Sequence, residues 1–302
     1  MRLLPALLLY LLGVFGGAPL AAPWVYHGVQ ALAAAWPAAG GLAEAPFHRV
    51  VNRCVLVLAL AGLWPLLRAL GVRRWRDLGW NLTGTPGRDF TLGLGVSLAG
   101  LALVAATALA TGVRAWRPER EAGEIAGHLL RALSAAVVVA TLEETLFRGA
   151  LFRALRREGS FALAAAVTAA VYAWVHFFER PPRPDVVGPG TGFVTLGLML
   201  RGFTHWDSLV PGWLTLFVVG WVLARAVESR GSLWLALGLH AGWIFWIKSY
   251  GFWTVEHMPE AARWLGTAKL TDGWFALAVG LATGAGIRRQ PAAVNRAVDA
   301  SG

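Results

Sequence analysis

Eight separate stretches of this chain stay apolar for about the length a bilayer crossing requires. They run over roughly 3–22, 50–70, 90–112, 125–147, 160–178, 206–228, 231–250 and 271–287. A spanning helix needs about 20 such residues. Lipid offers backbone N–H and C=O groups no water, so only helices or a closed barrel cross it, and these lengths are those of helices. The fold class expected is therefore all-α: a polytopic membrane protein of about eight transmembrane helices enclosing a polar intramembrane cavity. Composition agrees, with 57% hydrophobic and 15% charged residues, where soluble domains carry about 25% charged.

Charge orients the helices. The net charge of +10 comes from 25 arginines and 2 lysines against 17 acids. The arginines lie between the apolar stretches, so topology accounts for them and no nucleic-acid partner is expected; the lipid bilayer is. "RRWRDLGWNLTGTPGR", "FRALRRE", "ARAVESR" and "IRRQPAAVNR" all fall on one side if eight spans are counted. Positive loops stay inside, which places both termini in the cytoplasm. The loops on the other side are mixed in sign. An arginine-rich, alanine-rich, lysine-poor chain points to a bacterial inner (plasma) membrane.

The N-terminal run reaches Trp24, long enough for an uncleaved first helix, with a cleaved signal peptide the competing reading. The piece 28–40 is too short to span and is expected at the interface. "PPRPDVVGPGTG" at 181–192 reads as a solvated loop, with a gate over the cavity as the sharper alternative. The tripeptide 81–83 matches a glycosylation sequon but falls on an expected cytoplasmic loop. Gly280 and Gly284 form a GxxxG, a close-packing signal. The single cysteine, Cys54, permits no internal disulfide.

Acids and histidines inside the apolar stretches are costly, about 2.5–3.5 kcal/mol each on insertion scales if they face lipid. Glu143 and Glu144 sit near the end of the fourth stretch, in "TLEETLFRGALF". His176 lies in "VYAWVHFF" and His240 in "LALGLHAGWIFW". Three separate spans thus carry polar groups, and these should turn toward one another or toward water. Glu144 and Arg148 are i, i+4 and can pair on one helix face. Glu143 is rotated by about 100° from Glu144 and is open to another partner. A carboxylate in a partly apolar site can serve as general base near neutral pH; histidines can orient water and donate to an oxyanion. Each feature alone is more often structural. Together they suit activation of water against an amide, or alternatively a proton relay in a carrier. Glu with two His could bind zinc if the ligands converged from three helices, but HExxH is absent; no cofactor is expected, with a divalent metal as the open alternative.

At these residues the sequence resembles a known family. "EETLFR" (143–148) matches EExxxR, "YAWVH" (172–176) is similar to the family's second motif, and "SLWLALGLHAGW" (232–243) to its third. "WRDLGW" (75–80) is similar to the segment before the core. The family is the CPBP intramembrane endopeptidases: type II CAAX prenyl endopeptidases and bacteriocin-processing (Abi) relatives. The resemblance covers roughly 73–250. It implies an intramembrane glutamate endopeptidase acting on a peptide or protein substrate, with Glu143 as general base, His176 positioning water, His240 stabilising the oxyanion, and Glu144, Arg148 and Tyr172 supporting them. It divides the single membrane domain into N-terminal helices (1–72), a protease core (73–250) and a last helix with a tail (251–302). Two positions depart from the family: Tyr172 stands where Phe is usual, and Ile244 where Asn often follows the last histidine. A non-proteolytic scaffold or immunity protein, or a proton-coupled carrier, is the alternative.

Overall fold

The computed structural model describes residues 3–287 apart from Leu70, Thr83, Pro118 and His205. The sequon (through Thr83), His205 and the C-terminal tail from residue 288 therefore lie outside the described residues. The fold is helical. In chain order the main elements are α1 (Leu3–Ala35), α2 (Phe47–Ala69), α3 (Pro86–Ala110), α4 (Ala122–Glu143), a π-helical segment (Glu144–Phe152) with a short α-helical end (Arg153–Glu158), α5 (Phe161–Trp174), α6 (Thr191–Met199), α7 (Trp206–Arg230), α8 (Trp234–Trp253) and α9 (Trp274–Gly286). Each of the eight apolar stretches forms a helix over most of its length, though the fifth ends at Trp174, before His176. Among the described residues, five helical runs are long and apolar enough to cross a membrane: Pro5–Ala35, Phe47–Ala69, Pro86–Ala110, Ala122–Glu158 and Leu209–Arg230. Phe161–Trp174 and Trp274–Gly286 are shorter apolar helices. This is an all-α membrane protein.

Two compact units divide the chain. The first comprises Met1–Arg73 and His176–Leu209. In it α1 lies against α2 and α6 around Ala18, Ala22, Phe47, Val51, Cys54 and Met199. α1 corrects two expectations. It does not stop near residue 22, and 28–35 is its continuation rather than a separate interfacial piece. Its 33 residues include Pro19 and Pro23. At 1.5 Å per residue that is about 50 Å, well beyond a ~30 Å hydrocarbon layer. The segment 181–192 is also partly misread: regular structure resumes at Thr191 as α6. There a side chain on Gly192 would strike the carbonyl of Pro19.

The second unit comprises Arg74–Val175 and Val210–Gly302, and it holds both glutamates and His240. α8 is its axis, buried along most of its length. α3 runs parallel to α8 and almost touches its backbone. A Cβ on Gly238 would collide with the Phe90 carbonyl, one on Gly242 with the Ser97 hydroxyl, and one on Gly93 with the Leu235 carbonyl. Small residues let membrane helices approach this way where no hydrophobic effect draws them together. A two-stranded antiparallel ribbon, β1 (Arg114–Trp116) with β2 (Thr254–Glu256), fastens the far ends of the same two helices. α4 packs on α8 by one stripe, Ala132, Ala136 and Ala140, all at most 3% exposed. Its other face, Leu130, Leu133, Val137 and Val138, is open. That is the division a lipid-facing helix makes.

Candidate active site

The chain approaches the glutamates through α4 as a regular α-helix. At Glu144 the hydrogen bonding changes to the wider i→i+5 pattern and stays so to Phe152. Such π-helical segments are rare and cluster at functional sites. Gly149 lies within this segment with the Leu78 carbonyl against it: a Cβ there would come within 2.9 Å of that oxygen. Nearby, the Trp80 indole N–H donates to Thr145 Oγ1 (3.1 Å), next in sequence to Glu144.

Glu144 is fully buried, and so is Arg148. The Arg148 Nη1 donates to Glu144 Oε1 at 3.0 Å, the i, i+4 pair expected from spacing. Arg148 also donates from Nη2 to the Gly220 carbonyl of α7 (3.4 Å), and its guanidinium lies 4.4 Å over the Tyr172 ring of α5. One arginine thus joins three helices. Gly220 permits this, because a Cβ there would come within 2.8 Å of Ala169 on α5.

His240 arrives from α8. Its Nδ1 is 2.7 Å from Glu144 Oε1, and its Nε2 is 3.2 Å from the Tyr172 hydroxyl. The same Nε2 is 3.6 Å from Glu143 Oε2. Sequence spacing separates the two glutamates on a helix, and they do differ in exposure: the Glu143 side chain is 25% exposed and that of Glu144 is 0%. They nonetheless converge on one histidine, one carboxylate at each of its nitrogens. Of the residues singled out in the sequence, Glu143, Glu144, Arg148, Tyr172 and His240 come together. His176 lies just beyond the end of α5, four residues after Tyr172, where the other unit begins. Ile244, one turn past His240, is 8% exposed and packs with Ala136, Ala140, Leu237 and Ala241.

Residue spacing carries no sign of three contributors: the Tyr172 contact to His240, the Gly220 carbonyl and the Trp80–Thr145 bond. The first two join residues 68 and 72 apart. Two cavities of the second unit, about 440 and 250 Å3, have largely apolar walls from α3, α8 and their neighbours, and neither glutamate nor His240 lines them. Among the described residues no group of three His, Cys, Asp or Glu is placed to hold a metal ion. Glu144 and Glu143 stand at opposite nitrogens of His240 rather than around one point, so these three do not form a three-ligand zinc set.

A helical membrane protein with two acids and a histidine gathered inside its bundle belongs, by class, with intramembrane enzymes and proton-handling proteins. The comparison with known families selects within that class. Residues 125–246 match the family model for type II CAAX prenyl endopeptidase Rce1-like proteins, a stretch holding all three motifs. The match supports a resemblance of the chain to the CAAX protease (CPBP) family over this stretch. No curated protein and no solved structure matches the chain.

Proposed function

We propose that this protein is a glutamate-type intramembrane endopeptidase. In this reading it hydrolyses a peptide bond in or near the membrane, in the C-terminal tail of a membrane-associated or lipidated protein. Support for protease activity of the CAAX type comes from the family. The observation that carries the glutamate mechanism is the arrangement around His240, with a buried carboxylate at Nδ1 and a partly exposed one near Nε2.

Glu143, the more exposed carboxylate, is the general base. It takes a proton from water, whose oxygen forms a bond to the scissile carbonyl carbon while the C=O electrons move to oxygen. The tetrahedral species then collapses with cleavage of the C–N bond, and the proton held by Glu143 passes to the leaving nitrogen. Glu144 accepts only, so it fixes the hydrogen on His240 Nδ1. Arg148 donates to Glu144 at 3.0 Å and holds that carboxylate in place. His240 faces the developing oxyanion, and His176, carried over from the family motif, positions the water. The arginine-rich side of the protein faces the cytoplasm of a bacterium.

The test is cleavage of a library of lipidated and unlipidated C-terminal peptides by purified protein in detergent. Glu143→Ala and Glu143→Gln should each lower turnover by about 10²–10⁴-fold, the usual contribution of a general base. Wild-type cleavage should survive a chelator. Retained cleavage in both variants would sink the glutamate mechanism. A protein that cleaves no peptide, yet loses proton-coupled transport in Glu143→Gln, would be the carrier instead.

A further inference from the structure

His240 makes a demand that the residues named so far do not meet. Glu144 Oε1, 2.7 Å from Nδ1, can only accept, so the ring hydrogen sits on Nδ1. A neutral ring then presents a lone pair at Nε2 and has nothing to donate to an oxyanion there. The position one helical turn on, where a second donor could stand, is Ile244, buried among alanines and leucine. The oxygen next to Nε2 is the Tyr172 hydroxyl at 3.2 Å. Tyr172 is held for this contact: it is 2% exposed, its ring lies under the Arg148 guanidinium, and Phe147 meets it edge-on at 5.3 Å.

We infer that the Tyr172 hydroxyl is the second oxyanion donor of this site, working as a pair with His240 Nε2. The inference rests on the endopeptidase reading above. In the resting site the Tyr172 O–H donates to the Nε2 lone pair. When Glu143 passes the proton it has taken from water to Nε2, 3.6 Å away, that N–H is free to donate to the oxyanion, and the phenolic O–H, released from the Nε2 lone pair, turns to the same oxygen; on collapse the proton returns through Glu143 to the leaving nitrogen. One oxygen can lie within hydrogen-bond reach of both Nε2 and the phenol, because the two groups are themselves 3.2 Å apart. The carbonyl oxygen of the tetrahedral species can therefore receive one hydrogen bond from each. No bond to Tyr172 forms or breaks; its proton stays on the phenol throughout. A hydroxyl at 172 and an apolar residue at 244 are two sides of one arrangement: the donor comes from α5 rather than from the next turn of α8.

The experiment compares wild type, Tyr172→Phe and Glu143→Ala with one cleaved peptide, measuring kcat and KM separately together with the unfolding temperature. Removing one oxyanion donor should lower kcat by about 10²–10³-fold, with KM within a few-fold and the protein folded. A residue that only packs would leave kcat unchanged once folding is matched. Wild-type kcat in Tyr172→Phe, beside a dead Glu143→Ala, overturns the inference and leaves the protease reading standing. Retained cleavage in Glu143→Ala, or none by wild type, overturns the reading and the inference with it. If Tyr172→Phe does not fold, a ring-fluorinated tyrosine at 172 keeps the shape and makes the phenol a stronger donor. A changed kcat is then expected, and an unchanged one overturns the inference.

Discussion

Glu143 and Glu144 are neighbours in sequence with opposite surroundings, and their substitution should separate stability from chemistry. Glu144 shares its Oε1 between Arg148 and His240 and has no exposure to solvent. Removing one partner of a buried ion pair costs about 3–5 kcal/mol, because the charge left behind stays buried. Glu144→Gln is therefore expected to lower the unfolding temperature in detergent strongly, while Glu143→Gln, at a side chain 25% exposed, leaves it nearly unchanged. Equal unfolding temperatures for the two would remove the division of labour argued above. The Glu144–Arg148 pair was legible in the sequence because i, i+4 spacing is a local property of a helix. The grip of Glu144 on His240 was not, since it joins residues 96 apart and no periodicity reports which face of α8 meets which face of α4. For the same reason the sequence could mark Ile244 as a departure but could not identify what stands beside His240 in its place.

The elements show a similar boundary. The apolar lengths revealed every long helix, but not the change to π-helical bonding at Glu144, which depends on packing around one or two residues and leaves no periodic trace. The structure supplies that packing. Residues 78–81 bridge the π segment and the start of α8: Leu78 O lies against Gly149, Trp80 donates to Thr145, and the Leu233 N–H donates to Gly79 O (3.1 Å). The Trp234 indole donates to Asn81 O (2.7 Å). This bridge ties together the two elements that carry the glutamates and His240. The contact between α3 and α8 sets the position of His240 from the other side, and glycine makes it possible. Gly238→Ala places a methyl group on the Phe90 carbonyl and is expected to cost about 1–3 kcal/mol, as overpacking does. Gly95 of the neighbouring helix has nothing within 4 Å of its would-be Cβ. Gly95→Ala should therefore be neutral or slightly stabilising, since Ala outranks Gly in a helix by up to about 1 kcal/mol. Unfolding of the two variants in detergent checks the contrast; equal losses would mean that the close approach does not hold α8 in place.

At the scale of the molecule, charge should fix how the second unit sits in its membrane. α3 and α8 run parallel, so residues 74–89 and 231–234 share one end of this unit and the β ribbon marks the other. The first end carries Arg74, Arg76, Arg153, Arg156, Arg157 and Arg230, opposed by Asp77, Asp89, Glu158 and Glu228. At the ribbon end Arg114, Arg117, Arg120 and Arg263 are matched in number or exceeded by Glu119, Glu121, Glu124, Glu256 and Glu260. At the first end Arg156 bonds Glu228 at 3.0 Å, and Arg230 lies 3.6 Å from Asp89. Lys and Arg near span ends set orientation while acids count for little. The side richer in arginine is therefore expected in the cytoplasm, and Glu143, toward that end of α4, is expected to open to substrates presented from there. A single cysteine introduced at Arg76, which is exposed, or at Met258, 40% exposed at the ribbon end, makes this measurable. The native Cys54 is buried at 7% exposure and serves as the silent background. A membrane-impermeant maleimide added to intact spheroplasts should label Met258→Cys at once and Arg76→Cys only after lysis. The reverse pattern would turn the protein over in the membrane and place the opening of the site on the outer face, where a cytoplasmic tail could not reach it.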